Sequence, residues 1–465
     1  MSLTKVSYSM ITGAVVNVKD YGATGDYNED TSVGTDDTAA LQAAINAAAS
    51  HTSNNGYNNG AVFIPFGAYK ITSALDIPFG VSIFGEGGTA SVLHCANCNG
   101  LNFTGYGNDA SSMFYEDFGL WSAVGDNYAG IVTESDTTTM DGMYFNRLRL
   151  QYWDTCFYLA ANWNCSIENC VMQNVNIGVS VAGADGVNVG TRIINNRIVY
   201  ANGGNGVNGP YGIICNSTTQ FIESIHIAHN QIYGFDTNIK IDQTTYLTIL
   251  DNDLSGSVNV IDFVTSAGGY NISFNYIEVQ SGGVGIFGRS QSSDTPQTRA
   301  IITSNYFVGS SAENGIKMGT VAADFQYNYV IRDNTFIGFV GYDIILHSPG
   351  KCLVDSNRCM STGTTNSIYV ATVANAPVTF TNNYLLKTFT FEDLAADVTG
   401  GKIILLNNTE NDLFQSTQQA GAPTTGTWRV GNIVYDNAPA SAGYVGFVCT
   451  VAGTPGTWES FGLIT

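Results

Sequence analysis

From about residue 140 to residue 410, apolar positions alternate in short runs, and an asparagine punctuates each run. An apolar residue stands two positions after that asparagine, and usually another stands three positions before it. The unit reads Ile193, Asn196, Ile198 and then Ile227, Asn230, Ile232. It continues at Asn252 with Leu254, Asn275 with Ile277, Asn305 with Phe307, Asn334 with Phe336, Asn357 with Cys359 and Asn383 with Leu385. Asn146 (Leu148) and Asn169 (Val171) open the series and Asn408 closes it, in steps of 22 to 34 residues. Period-two alternation signals strands, and a repeat of that length signals a solenoid of stacked coils. Asparagine suits the bend of such a coil, because its amide both donates and accepts and its backbone tolerates a left-handed turn.

The chain ahead of the repeats has another pattern. Leu41, Ala44, Ile45 and Ala48 fall at helical spacing behind Thr35-Asp36-Asp37-Thr38, whose polar groups satisfy the free N–H groups of a helix start. One amphipathic helix before a β-solenoid is expected to cover the open end of the first coil. Short strands are expected at Ala61–Pro65, Ala68–Ile71 and Val81–Gly87.

These segments carry a resemblance. Val18-Lys19-Asp20-Tyr21-Gly22-Ala23, Asp36 to Ile45, Val62 to Tyr69 and Pro78 to Gly87 resemble the opening signature of the pectate-lyase-like superfamily, in its branch of bacteriophage tailspike depolymerases. The signature covers residues 16–90, and the asparagine coils extend the likeness to about residue 410. It implies an all-β fold, a right-handed parallel β-helix assembled as a homotrimer. It also implies a place on the virion tail with tail or baseplate proteins as partners, and a bacterial surface polysaccharide as target. The expected organisation is a lead-in (1–15), a capping segment (16–90), a β-helix of about eleven or more coils (91–414) and a small β module (415–465). That module resembles the ending of many phage tail proteins, serving trimerisation or carbohydrate binding. Its Trp428 and Trp458 either stack on sugars or pack the module's core or a subunit interface. Spikes of this kind usually carry an anchoring domain ahead of the signature, where about fifteen residues stand here.

Composition narrows the function. Charged residues are 12% of the chain and the net charge is −21, which argues against nucleic acid and against anionic membranes. No apolar run is long enough to span a bilayer, and the first residues lack the apolar core of a signal peptide. The nine cysteines are an odd number, several at strand positions, and read as reduced, buried thiols. Cys95 and Cys98 beside His94 have no second pair at zinc-binding spacing, so neither metal nor cofactor is expected.

In a chain so poor in charge, one set of outward positions stands out. Aligning Asn238–Asp242, Val260–Phe263, Gly285–Arg289 and Gly315–Met318 turns Ile239, Ile241, Ile261, Phe263, Ile286, Ile316 and Met318 inward. Lys240, Asp242, Asp262, Phe287, Arg289 and Lys317 then stand outward on one face. Lys240 and Asp262 become neighbours across a coil, and Asp242 lies ~8 Å from Asp262 by strand spacing. Two carboxylates at roughly that distance suit an inverting glycosidase. The catalytic candidates are Asp242, Asp262 and Asp236, and the substrate-binding candidates are Lys240, Arg289, Lys317, Tyr211 and Phe287. Glu223, Glu313 and Asp294 are further carboxylates, with Tyr200 and Tyr233 as stacking planes. Asp251, Asp253, Tyr276 and Glu278 form a second row beside the bend, and His226, His229 and His347 show no ligand spacing. The ordinary alternative for the patch is a surface salt-bridge ladder. The expected activity is endo-hydrolysis of a polysaccharide without cofactor. A lyase acting by β-elimination on a uronic-acid polymer, a binding-only spike and a cellular pectin-acting enzyme are the rival readings.

Overall fold

The computed structural model describes residues 15–51, 60–104, 113–123, 127–133, 140–160, 162–182, 188–200, 209–217, 222–265, 269–289, 300–319, 329–347, 351–363, 366–371, 378–391, 403–410 and 420–465 apart from 427 and 429. Fifteen strands, from Val16–Asn17 and Ala61–Ile64 to Val378–Thr381 and Ile403–Leu406, stack in sequence order into one sheet. Each pairs in parallel with the strand one coil later. A 23-stranded sheet carries the chain around the remainder of each coil, and a short five-stranded sheet lines a third side between Met140–Asp141 and Thr244–Thr245. This is a parallel β-helix.

The alternation read from the sequence builds its interior. Ile193, Ile227, Ile249, Ile272, Ile302 and Ile331 follow one another in register across successive coils, all fully or almost fully buried. They are the apolar residues three positions before the asparagines. Those two positions after, among them Ile198, Ile232, Leu254 and Ile277, form a second buried column around the bend.

Between the two columns the asparagines hydrogen-bond to one another from Asn196 through Asn230, Asn252, Asn275, Asn305, Asn334, Asn357 and Asn383 to Asn408. In each rung the amide nitrogen donates to the next Oδ1 at 2.8–3.1 Å. The backbone N–H donates to that same oxygen at 2.9–3.1 Å. The amide also donates back to a carbonyl of the preceding coil, as Asn305 does to Ile272 at 2.9 Å. From Asn196 to Asn383 every side-chain donor and acceptor is used, which is what allows them inside.

Two expectations about the series are corrected. Asn146 and Asn169 lie outside the ladder. Cys170 occupies the rung position before Asn196, its N–H donating to Asn196 Oδ1 at 2.8 Å, and Asn169 bonds Asn146 on the outer side at 2.9 Å. The left-handed residue, moreover, is the one before each rung rather than the rung asparagine. Asn195, His229, Phe274 and Ser304 have φ of +56°, +56°, +59° and +58°. Such conformations cost roughly 1–2 kcal/mol at a non-glycine residue, and the paired rungs beside them hold the turn in place.

The helix runs Thr38–Ala49 and buries Leu41, Ala44, Ile45 and Ala48, packed on the Val18–Tyr21 turn and the strand Leu75–Pro78. Asp36 caps it, accepting from the Thr38 N–H at 3.0 Å. Asp37, 1% exposed, is turned away to hold the preceding loop, accepting from Thr24 N–H at 2.7 Å, Thr24 Oγ1 at 3.0 Å and Gly25 N–H at 3.0 Å. The terminal module is three antiparallel strands, Ile433–Tyr435, Tyr444–Val451 and Thr457–Leu463. Trp428 and Trp458 meet edge to face at 5.0 Å beside Val434 and Cys449, and their indole N–H groups donate to Thr425 and Pro455 carbonyls. Both rings therefore serve the module's core. None of the nine cysteines forms a disulfide, and all are buried.

Candidate functional site

On most of its length the second sheet uses two short strands per coil. From Asp253–Thr265 onward these fuse into long strands, followed by Tyr276–Gly288, Tyr306–Met318 and Thr335–Leu346. Their second halves continue the strands Gly209–Asn216 and Phe235–Asp242. Register then places Ile214, Lys240, Asp262, Phe287, Lys317, Ile345 and Tyr369 in one outward column. The alternate positions Ile239, Ile261, Ile286, Ile316, Ile344 and Ile368 are fully buried beneath it. Lys240 and Asp262 are cross-coil neighbours, as the alternation predicts.

The side chains of the column are tied together. Asp262 is only 3% exposed, and its two oxygens accept from Arg289 Nε at 2.9 Å and Nη2 at 2.8 Å. Such a two-bond fork is among the stronger charged contacts available to a protein, and this bond to Asp262 holds the guanidinium's proton more tightly than usual. Arg289 also lies over the Phe287 ring, 4.9 Å from its centre, and the Lys317 ammonium stands 5.4 Å from the same centre. Lys240 turns toward Tyr211, donating to its hydroxyl at 3.2 Å and lying 4.8 Å from the ring centre. All five substrate-binding candidates thus belong to one cluster with Asp262.

The other carboxylates are placed differently. A bulge between Ile241 and Asp242 sets Asp242 opposite Thr265, three residues beyond Asp262, so strand spacing gives a Cα separation of ~11 Å in place of ~8 Å. Asp236 is exposed at the start of the same strand, ~20 Å along the chain from Asp242. Glu313 is exposed and Glu223 half-buried, while Asp294 and the loop 201–208 lie outside the described residues.

Alternation alone did not single out the strip's C-terminal extension. Tyr369 occupies the outward column, with Tyr342 at 5.3 Å and His347 at 6.1 Å between ring centres. The signal for it is the alternation of Ile368-Tyr369-Val370, which repeats that of the strands before it. In the second row His229 Nδ1 meets Asp251 at 3.0 Å, and Tyr276 stacks on Tyr306 at 6.1 Å. His94 lies between Tyr27 and Trp121 rings, and burial pulls its pKa down to about 4. On the outer face of the first sheet, Arg147 forks Asp117 and bonds Glu116, while Tyr144 and Ser166 donate to Glu168. Among the described residues no three His, Cys, Asp or Glu side chains converge as a metal site.

Residues 15–114 match the family model described as rhamnogalacturonase A/epimerase, pectate lyase-like. No curated protein sequence matches the chain. Among solved structures, the catalytic unit of a thermostable GH87 α-1,3-glucanase from Streptomyces thermodiastaticus strain HF3-3 superposes with a TM-score of 0.56 at 16% identity, over 85% of this chain and 69% of that one. The Dettilon tailspike protein gives a TM-score of 0.49 at 17% identity, over 81% and 68%. PfbA, a surface adhesin of Streptococcus pneumoniae, gives 0.47 at 14% identity, over 96% and 98%. The coil architecture defines the class as a parallel β-helix, and its N-terminal segment is similar to the pectate-lyase-like family.

Proposed function

We propose that the chain is a phage tailspike, acting as a homotrimer at the bacterial surface, which binds and depolymerises a surface polysaccharide by endo-hydrolysis. The observation that carries this reading is the outward column, where cations, aromatic rings and a carboxylate gather over several adjacent coils of a chain otherwise sparing of charge. Aromatic faces and hydrogen-bonding side chains along a rigid sheet are the usual means of holding sugar rings. The family model of the N-terminal segment and the glucanase named among the similar folds support it. The tailspike reading rests on the opening signature and the small terminal module.

In this reading Asp262, held in place by the Arg289 fork, is the base that activates water. Asp242 is the acid that protonates the leaving oxygen, with the sugar lying across the bulge between them. Asp236 is a reserve acid at the far end of the strand. A second reading draws on the Lys240–Tyr211 contact. As its phenolate, Tyr211 would take the proton from carbon while the bond to the leaving oxygen breaks and that oxygen takes a proton from the Lys240 ammonium, which is β-elimination on a uronate.

Mass spectrometry of products from purified capsular and lipopolysaccharide preparations tests both. Hydrolysis yields fragments that have gained water, and Asp242→Asn and Asp262→Asn then slow cleavage by about 10²-fold or more. Ultraviolet-absorbing fragments lacking that water favour elimination. Cleavage at the wild-type rate by both variants removes the two aspartates from the mechanism, and binding without fragments across a panel containing the true host leaves an adhesin.

A further inference from the structure

The strip's own charge says what kind of saccharide fits it, provided the strip is the polysaccharide site. We infer that it takes an anionic saccharide chain, whose acid groups seat at Lys240 and Lys317. The chain holds 17 Lys and Arg against 38 Asp and Glu, so cations are scarce, yet three of them stand within a few coils of one column. Register alone would pair Lys240 with Asp262, its neighbour one coil on. Arg289 occupies both Asp262 oxygens instead, because a planar fork matches a carboxylate better than an ammonium does. Lys240 is left on the Tyr211 ring and Lys317 on the Phe287 ring. Among the described residues neither lysine has a carboxylate at ion-pair distance. Asp236 and Asp242 lie off the column, at the strand's start and beyond its bulge.

The ionic groups of the column, three cations and one carboxylate, therefore sum to plus two in a protein of net charge −21. A ring under each ammonium fixes its position before anything binds. Three strand spacings separate the two lysines, ~14 Å, which exceeds the ~8 Å screening length of physiological salt. They act as two separate seats, suited to a polymer whose acid groups recur along it. A neutral saccharide would cover the same ammonium groups and return no charge to them, an unfavourable exchange. Uronate, sulfate and phosphate groups share the required chemistry.

Affinity electrophoresis of the full chain in low salt tests this, with polygalacturonate, dextran sulfate or polyphosphate cast in the gel and plain dextran as the neutral arm. Retardation by at least one polyanion and not by dextran is expected, and which polyanion it is separates the three anions. Lys240→Gln/Lys317→Gln should weaken retardation about tenfold, while Lys351→Gln/Lys387→Gln, with the same net charge, should not. No retardation by any polyanion, or an equal loss in both double variants, overturns the inference. Polymer binding that depends on Tyr211 and Phe287 but not on the lysines overturns the anionic class and keeps the strip as the site. Binding indifferent to all four residues overturns both.

Discussion

Asp343 is a carboxylic acid sealed from water, fully buried in the β-helix. Ser361, Ser367 and Cys359 stand beside it without making a full hydrogen bond to either oxygen. Burial outweighs them and raises its pKa to about 7. The folded state thus binds its proton more tightly than the unfolded state, whose value is near 4, so the contribution to stability is complete below pH ~4 and is lost as pH rises to about 7. The size is on the order of 4 kcal/mol. Urea unfolding at pH 4.5 and pH 8 should show this loss in the wild type and a much flatter profile in Asp343→Asn; equal slopes would refute it. Arg289→Ala should destabilise by about 2 kcal/mol, since Asp262 is left buried without its partner, and Arg289→Ala/Asp262→Asn should recover much of that. A chevron or equilibrium denaturation series on the two variants checks the order. The outward column was legible because alternation fixes which residues share a face. The fork between Asp262 and Arg289 was not, because a long side chain reaches diagonally to a residue that register does not place opposite. The bulge at Asp242 was equally hidden, since no glycine or proline marks it.

Among the elements, the ladder yields the sharpest contrast. Asn305→Ala removes an amide that serves Asn275, Asn334 and the Ile272 carbonyl, stranding several buried partners at roughly 1–3 kcal/mol each. A loss of about 3–5 kcal/mol in guanidinium unfolding is expected, against less than about 1 kcal/mol for Asn146→Ala outside the ladder. The same two variants test the corrected boundary, because similar losses would restore Asn146 to the series. The misplacement has a physical cause. Met143 and Leu148 flank Asn146 at the same spacing as the true rungs, and a shift of two residues preserves the alternation of a strand. The sequence pattern cannot register such a shift, whereas the left-handed turn can. It falls at Arg147, Asn169 and Asn195 in successive coils.

At the scale of the whole molecule the thiols report how completely the coils close. All nine are buried, and burial pushes Cys165, Cys170, Cys215 and Cys352 up to about 12. Almost no thiolate is present on these four at neutral pH. Maleimide labelling of the native protein should leave all nine unlabelled for hours, and denaturant should expose all nine; rapid native labelling would mean that the coils breathe. The solenoid itself was legible throughout, because its repeat recurs often enough to outvote any single residue. The tryptophans of the terminal module remained ambiguous in sequence, since stacking on a sugar and packing on each other ask for the same side chain.

Successive rungs of the ladder are separated by as few as 22 and as many as 34 residues, yet each amide bond between them stays within 2.8–3.1 Å. The bond between two rungs is thus the same whether the chain between them is short or long. Changes of length between rungs are therefore nearly silent to the ladder, and duplication of one coil adds a rung that both its neighbours already recognise. A lineage built on this plan can change what it touches, and how long a stretch it touches, by ordinary in-frame copying errors, without passing through an unfolded ancestor.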